Sequence, residues 1–162
     1  MKETKPTGIY WEDFTKFSPD DIIQHPRSCK ITAENNKLFS QAIGENQPLH
    51  HDYEFASKTI FGEIIINGNQ TKAVVESMTV PELTHGTIVA NLETTDVKTP
   101  HPVKLGDELV VVTKVLGTKE TSKNKSGIVF LEHNAFNQNG VEVLSEKRVV
   151  LVCTEKEVQK AG

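Results

Sequence analysis

Four long segments of strand-like residues fill the C-terminal half of this chain, and a long helical segment comes before them. That order constrains the fold more than any other feature of the sequence. The strand segments run over about 87–93, 108–116, 127–137 and 141–154 and are rich in Val, Leu, Ile and Thr. Asn137-Gln138-Asn139-Gly140, between the last two, predicts a tight hairpin because Asn and Gly accept positive φ. Residues 117–127 predict a longer, basic hairpin loop. Strands joined this way are antiparallel. Val110-Val111-Val112 and Val149-Val150-Leu151-Val152 are continuous apolar runs, which predict strands covered on both faces. The sheet must bury an apolar face, and the preceding helix is the element available to cover it. We therefore expect an α+β fold, a curled antiparallel sheet wrapped around a central helix.

That helix is expected from about Gly68 to about Thr79, with Pro81 ending it. Its apolar positions are Ala73, Val74, Val75 and Met78, after a polar first turn, Asn69-Gln70-Thr71-Lys72. Upstream, Thr32 is a good N-cap and Glu34 suits the helix dipole. Leu38, Phe39, Ala42 and Ile43 recur on one face of the helix that follows, and Gly44 stops it. Asp52 is placed to cap a short helix through Tyr53, Phe55 and Ala56. An N-terminal arm over about 1–31 carries Tyr10, Trp11 and Phe14 for packing across the body. Irregular chain is expected around Pro19 and Pro26, and a short strand at 28–31. Residues 155–162 form a polar tail. The 162 residues suit one domain, 1–162.

Composition removes several function classes. The net charge of −4 gives no basic field to attract nucleic acid or an anionic membrane. No apolar run approaches the roughly 20 residues of a bilayer span. Met1-Lys2-Glu3-Thr4-Lys5 lacks the apolar core of a signal peptide, so a cytoplasmic location is expected. Cys29 and Cys153 fit no metal-ligand spacing and suit idle thiols in a reducing compartment. His25, His85, His101 and His133 show no metal spacing either, and we assign them surface or structural places and expect no metal.

The chemistry concentrates in Gly44-Glu45-Asn46-Gln47-Pro48-Leu49-His50-His51-Asp52. A carboxylate, Glu45, and an imidazole, His50, stand five residues apart with a proline fixing the backbone between them. Such a pair can hold one water between a general base and a general acid. Downstream, Phe61-Gly62-Glu63-Ile64-Ile65-Ile66-Asn67-Gly68 runs an apolar stretch into a glycine at a helix start, where a bare backbone N–H can meet a developing oxyanion. Asn67 can bond substrate or cap the helix, while Gln47 and Pro48 shape the turn, with Gln47 also a candidate substrate contact. His51 is expected as an exposed neighbour. Glu76 can face the site or pair with Lys72 at i, i+4. Phe55, Ile60 and Phe61 are candidates for an acyl path, and Lys119, Lys123 and Lys125 either meet phosphates or form a solvated hairpin. Together these residues point to adding water to, or removing it from, an activated carbonyl compound.

These motifs resemble the MaoC-like hydratases. That family's Asp-x-Asn-Pro-(aliphatic)-His stands here as Glu45-Asn46-Gln47-Pro48-Leu49-His50. Its Phe-Gly-x-Pro-Ile-x-His-Gly stands as Phe61 to Gly68, with Ile64 at the proline and Asn67 at the histidine. Tyr10-Trp11-Glu12-Asp13-Phe14, His25-Pro26-Arg27, Ala90-Asn91-Leu92 and Pro102-Val103-x-x-Gly106-Asp107-x-Leu109 match as well, most like the mesaconyl-CoA hydratase (β-methylmalyl-CoA dehydratase) branch. The resemblance implies a hot-dog fold and reversible hydration of a 2-enoyl-CoA thioester. It implies Glu45 and His50 as the catalytic pair, Gly68 holding the thioester oxygen, and Asn67 and Gln47 at the substrate. It also implies no cofactor besides the CoA thioester as substrate, and a homodimer or an oligomer of dimers. A non-catalytic thioester-binding or assembly subunit remains an alternative. So does a hot-dog thioesterase with Glu76 as its acid.

Overall fold

The computed structural model describes residues 7–122 and 126–158. Six strands, β1 (Ile22–Gln24), β2 (Cys29–Lys30), β3 (Ile88–Lys98), β4 (Glu108–Glu120), β5 (Ser126–Phe136) and β6 (Glu142–Cys153), form an antiparallel sheet. The order is β1-β4-β5-β6-β3, with β2 also pairing β4. The helices are α1 (Trp11–Phe14), α2 (Ala33–Ile43), α3 (Tyr53–Ser57), α4 (Gly68–Leu83) and α5 (Glu155–Val158). The sheet wraps around α4 in the hot-dog arrangement, without closing into a barrel. No helix among the described residues is long and apolar enough to cross a membrane.

Local chemistry sets the boundaries. Thr32 and Asn35 form a reciprocal capping box at the start of α2, and Gly44, at φ 69°, ends it in the left-handed conformation. Asp52 caps α3 by accepting from the Phe55 N–H at 3.1 Å. The β5–β6 hairpin turns at Asn137–Gly140, where Gly140 takes φ 72° and the Asn137 N–H donates to the Val141 carbonyl.

Strand alternation sorts side chains between the two faces. β4 buries Leu109, Val111, Thr113 and Val115, and β5 buries Val129, Leu131, His133 and Ala135. β6 buries Leu144, Glu146, Arg148, Val150 and Val152. Burying each large apolar side chain here stabilises the fold by roughly 1.5–3 kcal/mol. Thr113, His133 and Glu146 stand directly opposite one another across the three strands. This polar row divides the core into two apolar clusters. One is built on Ile66, Val75, Leu109 and Leu144, the other on Phe14, Leu83, Leu131 and Val150.

The structure corrects several expectations. α4 continues through Pro81 to Leu83 rather than stopping near Thr79, because the fully buried Leu83 holds the last turn in the core. The Thr7 hydroxyl also donates to the Pro81 carbonyl at 2.7 Å. The arm contains β1, where irregular chain was expected, because its backbone pairs with the free edge of β4. α2 buries Asn36 and Ser40, while Leu38 and Ile43 are exposed. The valine runs of β4 and β6 are covered fully on one face only, and Val110 is 42% exposed. The strand pairing of β4 with β5 extends to Glu120↔Gly127, shortening the hairpin loop; Lys123 and Lys125 lie outside the described residues.

Candidate active site

The site begins where α2 ends. With Gly44 turning the chain, the Glu45 N–H donates to the Ser40 carbonyl at 2.9 Å, which fixes Glu45 to the helix end. The Glu45 carboxylate folds back so that Oε1 accepts the Gln47 N–H at 2.7 Å. A single 3-10 turn, Pro48–His50, then carries the imidazole, with Pro48 at its first position. His50 Nδ1 donates to the Ile65 carbonyl at 2.7 Å. A carbonyl only accepts, so Nδ1 carries the proton, and in the neutral ring Nε2 remains as an acceptor. Asn36 Nδ2 donates to the His50 carbonyl at 2.8 Å and ties the turn to α2.

The second half of the site is the start of α4. The Asn67 side chain caps it, its Oδ1 accepting the Asn69 N–H at 2.7 Å. The same amide donates from Nδ2 to Glu45 Oε2 at 2.6 Å. One side chain therefore holds both the carboxylate and the helix start. Gly68 is the first residue of α4, where a helix leaves its N–H groups without internal partners and its dipole favours negative charge.

Two cavities meet at His50. The larger, about 520 Å³, is lined by Glu45, Asn46, His50 and His51, by Asn36 and Ser40 of α2, and by Ile64 and Leu105. The smaller, about 380 Å³, is lined by His50, Phe61, Gly68, Thr71, His101 and Val103 among others. Among the described residues, Asn36 Oδ1 and Ser40 Oγ are buried without a hydrogen-bond partner, and both residues line the larger cavity. Buried polar atoms are rarely left so, and a bound polar group would satisfy them.

The Gln47 N–H is the main cause holding the Glu45 carboxyl below the usual carboxylate range, with the nearby His50 imidazole and the Asn67 amide adding to it. Glu45 is therefore ionised at neutral pH. Each of its oxygens has accepted one hydrogen bond and retains capacity for another. An ionised carboxylate and a neutral Nε2 can accept the two protons of one water molecule.

Glu45, His50, Asn67 and Gly68 are thus brought together, though Glu45 and Gly68 face different cavities with His50 between them. Gln47 contributes its backbone N–H, and its exposed side chain lines neither cavity. Of the acyl-path candidates, Phe61 lines the smaller cavity, while Ile60 is 95% exposed and Phe55 lies on the surface. Glu76 pairs with Lys72 at 2.8 Å. Lys119 is exposed near the end of β4, away from both cavities. Cys29 and Cys153 are free thiols. His25 and His133 are buried and converge on the Thr113 hydroxyl, at 2.8 Å each. Sequence inspection did not anticipate Asn36 and Ser40. Their i, i+4 spacing, which puts two polar side chains on one face of α2, is the signal that marks them.

The chain is similar to several known proteins. The sequence pattern of the MaoC like domain matches residues 15–135. An uncharacterized protein of Bacillus subtilis, YdeM, is 32% identical over 129 residues, covering 78% of this chain and 89% of that protein. Mesaconyl-CoA hydratase of Cereibacter sphaeroides is 38% identical over 145 residues, 90% of this chain but 41% of that longer protein. An (R)-hydratase of Pseudomonas aeruginosa superposes with a TM-score of 0.72 at 27% identity, over 88% of this chain and 86% of its own. The chain belongs to the MaoC-like family.

Proposed function

We propose that this protein catalyses the reversible hydration of a 2-enoyl-CoA thioester with a short or branched acyl group. The observation that carries this is the Asn67 amide, which ties the Glu45 carboxylate to the start of α4, beside the His50 turn. The thioester oxygen accepts the Gly68 N–H, so charge developing there in the transition state meets a fixed donor; losing such a donor typically costs about 10²–10³ in rate. Glu45 and His50 Nε2 hold one water by its two protons. Its oxygen adds to C3, one of the two groups takes the released proton, and that group hands it to C2 as the enolate collapses. Atoms balance as H at C2 and OH at C3, using only the chain's own groups and water.

Two relatives carry hydratase names, and one of them shares the fold. The hydrolytic alternative needs Glu76 as a free acid, whereas here Lys72 and Arg148 both engage it. Free thiols and a CoA substrate suit the cytoplasm. A homodimer is part of the proposal, because Ile88, Val89, Leu92 and Val97 are exposed along the edge strand β3. A monomer mass from light scattering at micromolar concentration would overturn that part.

The catalytic test is loss of enoyl-thioester absorbance with crotonyl-CoA. Glu45→Gln and His50→Gln should each lower kcat by about 10²-fold or more. The double variant should be little worse than the poorer single one, since groups acting as a unit are not additive. Wild-type rates in both single variants would remove the pair from the mechanism. CoA release that depends on Glu76 and not on Glu45 would make the protein a thioesterase.

A further inference from the structure

The inner face of α2 carries two polar atoms that the hydration chemistry leaves unused. Asn36 is 4% exposed and Ser40 is 2% exposed, and both line the larger cavity. Asn36 Nδ2 donates to the His50 carbonyl, which orients the amide and leaves Oδ1 as its free end. Among the described residues, neither that oxygen nor Ser40 Oγ has a hydrogen-bond partner. An amide oxygen only accepts, so the group missing at Asn36 is a donor, which an ionised carboxylate cannot supply. The two residues sit one turn apart on one face of α2, with about 5–6 Å between Cβ atoms. Buried acceptors left unpaired are costly, so a wall serving packing alone should carry apolar side chains at both positions.

The two cavities also differ in chemistry. They meet at His50, and the smaller is walled by Phe61, Ile66, Val103 and Val143 beside Gly68. A thioester whose oxygen accepts the Gly68 N–H finds an apolar wall for its acyl group on that side. The polar chain leaving its sulfur finds α2 on the other. In the CoA arm a two-carbon spacer separates the sulfur from a first amide, and another separates that amide from a second. Three extended bonds of backbone type span about 3.3–3.6 Å, so four bonds set the two amide nitrogens roughly 5 Å apart. An even number of bonds separates them, so in the extended arm both N–H groups point to the same side. That spacing matches the one-turn spacing of Asn36 and Ser40. Resting on the hydratase reading, we infer that Asn36 Oδ1 and Ser40 Oγ form a subsite for the two consecutive amide N–H groups of the pantetheine arm of the CoA thioester.

The assignment orders the arm. Asn36 holds the His50 turn, so it takes the amide nearer the sulfur, and Ser40 takes the second. Ser40 is tied to the other half of the catalytic pair, since its carbonyl accepts the Glu45 N–H at 2.9 Å. One turn of α2 thus supports His50, Glu45 and the arm together, and a seated arm registers the thioester against the pair.

The experiment is NMR titration with saturated butyryl thioesters, which bind without being hydrated. Three carry different arms: pantetheine with both amides, N-acetylcysteamine with the first alone, and 2-acetoxyethanethiol, in which an ester oxygen replaces that amide's N–H. Wild type should bind them in that order of affinity, each step at least about fivefold, because a buried acceptor left unpaired is costly. Asn36→Ala should bring the N-acetylcysteamine and ester thioesters to equal affinity, while any loss through the His50 turn falls on all three alike. Ser40→Ala should narrow the pantetheine step alone. Butyryl-CoA should exceed butyryl-pantetheine by one factor in wild type and both variants, since the nucleotide lies outside the subsite. No gain from the nucleotide would overturn CoA as the source of the arm. Equal affinity of the amide and ester thioesters in wild type would mean that water satisfies these atoms, and would overturn the subsite. A preference that both variants leave unchanged, or a loss equal across all ligands, would overturn its assignment to these residues. Because binding of unreactive ligands is the readout, failure of hydration with crotonyl-CoA would sink the hydratase reading without deciding this one.

Discussion

Asn67 does two jobs with one amide group. Its oxygen caps α4 and its nitrogen holds Glu45. Substitutions can separate them. Asn67→Ala removes both, and should lower stability by about 1 kcal/mol as a lost N-cap while also releasing the carboxylate. Asn67→Ser keeps a capping oxygen but is too short to tether Glu45, so its melting temperature should stay near wild type while kcat falls. Asn67→Asp keeps the cap and puts a second carboxylate against the first. The like charge should raise the Glu45 pKa and move the acid limb of the kcat/KM profile to higher pH. The sign follows from the starting point: Glu45 is held below the usual carboxylate range, so wild type should keep its ionised base well into acid. Thermal unfolding with pH-dependent kinetics on the three variants checks this. An Asn67→Ser enzyme with full kcat would show that the tether is idle. The cap was legible beforehand; the tether was not. The Gly-Glu-x-x-Pro-x-His spacing exposes the carboxylate and imidazole as a local pair, but the Asn67–Glu45 bond joins residues 22 apart in sequence, and only the fold brings them together.

At the scale of elements, the strands and their hairpins were readable because their signals are local. Asn137–Gly140 turns the chain by its own backbone preference, and Thr32 and Gly44 bound α2 by theirs. What failed depended on packing. Pro81 should have ended α4, but the burial of Leu83 outweighs one missing N–H. α2 turns Asn36 and Ser40 inward because its inner face forms a cavity wall instead of core. The valine runs suggested two covered faces, yet hydrophobicity cannot say what lies on the outside of a sheet. β1 was hidden because a three-residue edge strand owes its existence to the partner strand. The arm does have a legible partner in the structure. A Cβ added to Gly127 would stand 2.0 Å from the Trp11 indole, so the ring lies flat against bare backbone. Gly127→Ala should therefore displace Trp11 and cost about 1–3 kcal/mol by overpacking. In the Gly127→Ala/Trp11→Ala double variant the clash disappears, so the loss should fall well short of the sum of the singles. Additive losses in urea unfolding would mean that the two residues do not meet.

The whole molecule is a core cut in two by a polar layer. Hot-dog architecture requires the sheet to cover α4, and here the middle of that cover is Thr113, His133, Glu146 and Arg148 beneath Lys72 and Glu76. A core built this way should write itself into the pH dependence of folding. Burial pushes Glu146 up to about 7, with Glu76 adding to the effect while Lys72 and Arg148 oppose it. A folded-state pKa above the unfolded one means that stability is greatest below the ordinary carboxylate range and is lost as pH rises toward 7. Burial drives His133 the other way, down to about 3, helped by Arg148, His25 and Lys72. The unfolded chain binds that proton more readily, so stability is lost as pH falls from about 6.5 toward 3. His25 bonds Thr113 and Glu82 at the far end of the layer, beyond direct reach of Glu146. The two titrations offset each other between about pH 4.5 and 6.5, which hides both in wild type. Single variants separate them. Relative to wild type, Glu146→Gln should gain stability as pH rises from about 5 to above 7, by on the order of 2 kcal/mol. His133→Asn should lose its disadvantage as pH falls below 6, because wild type alone meets the cost of excluding that proton. Urea unfolding of the three proteins at pH 4, 5.5 and 8 reads both slopes. A Glu146→Gln difference that stays constant across that range would mean that Glu146 is already ionised in the folded core, with Lys72 and Arg148 fully committed to it and no positive charge to spare.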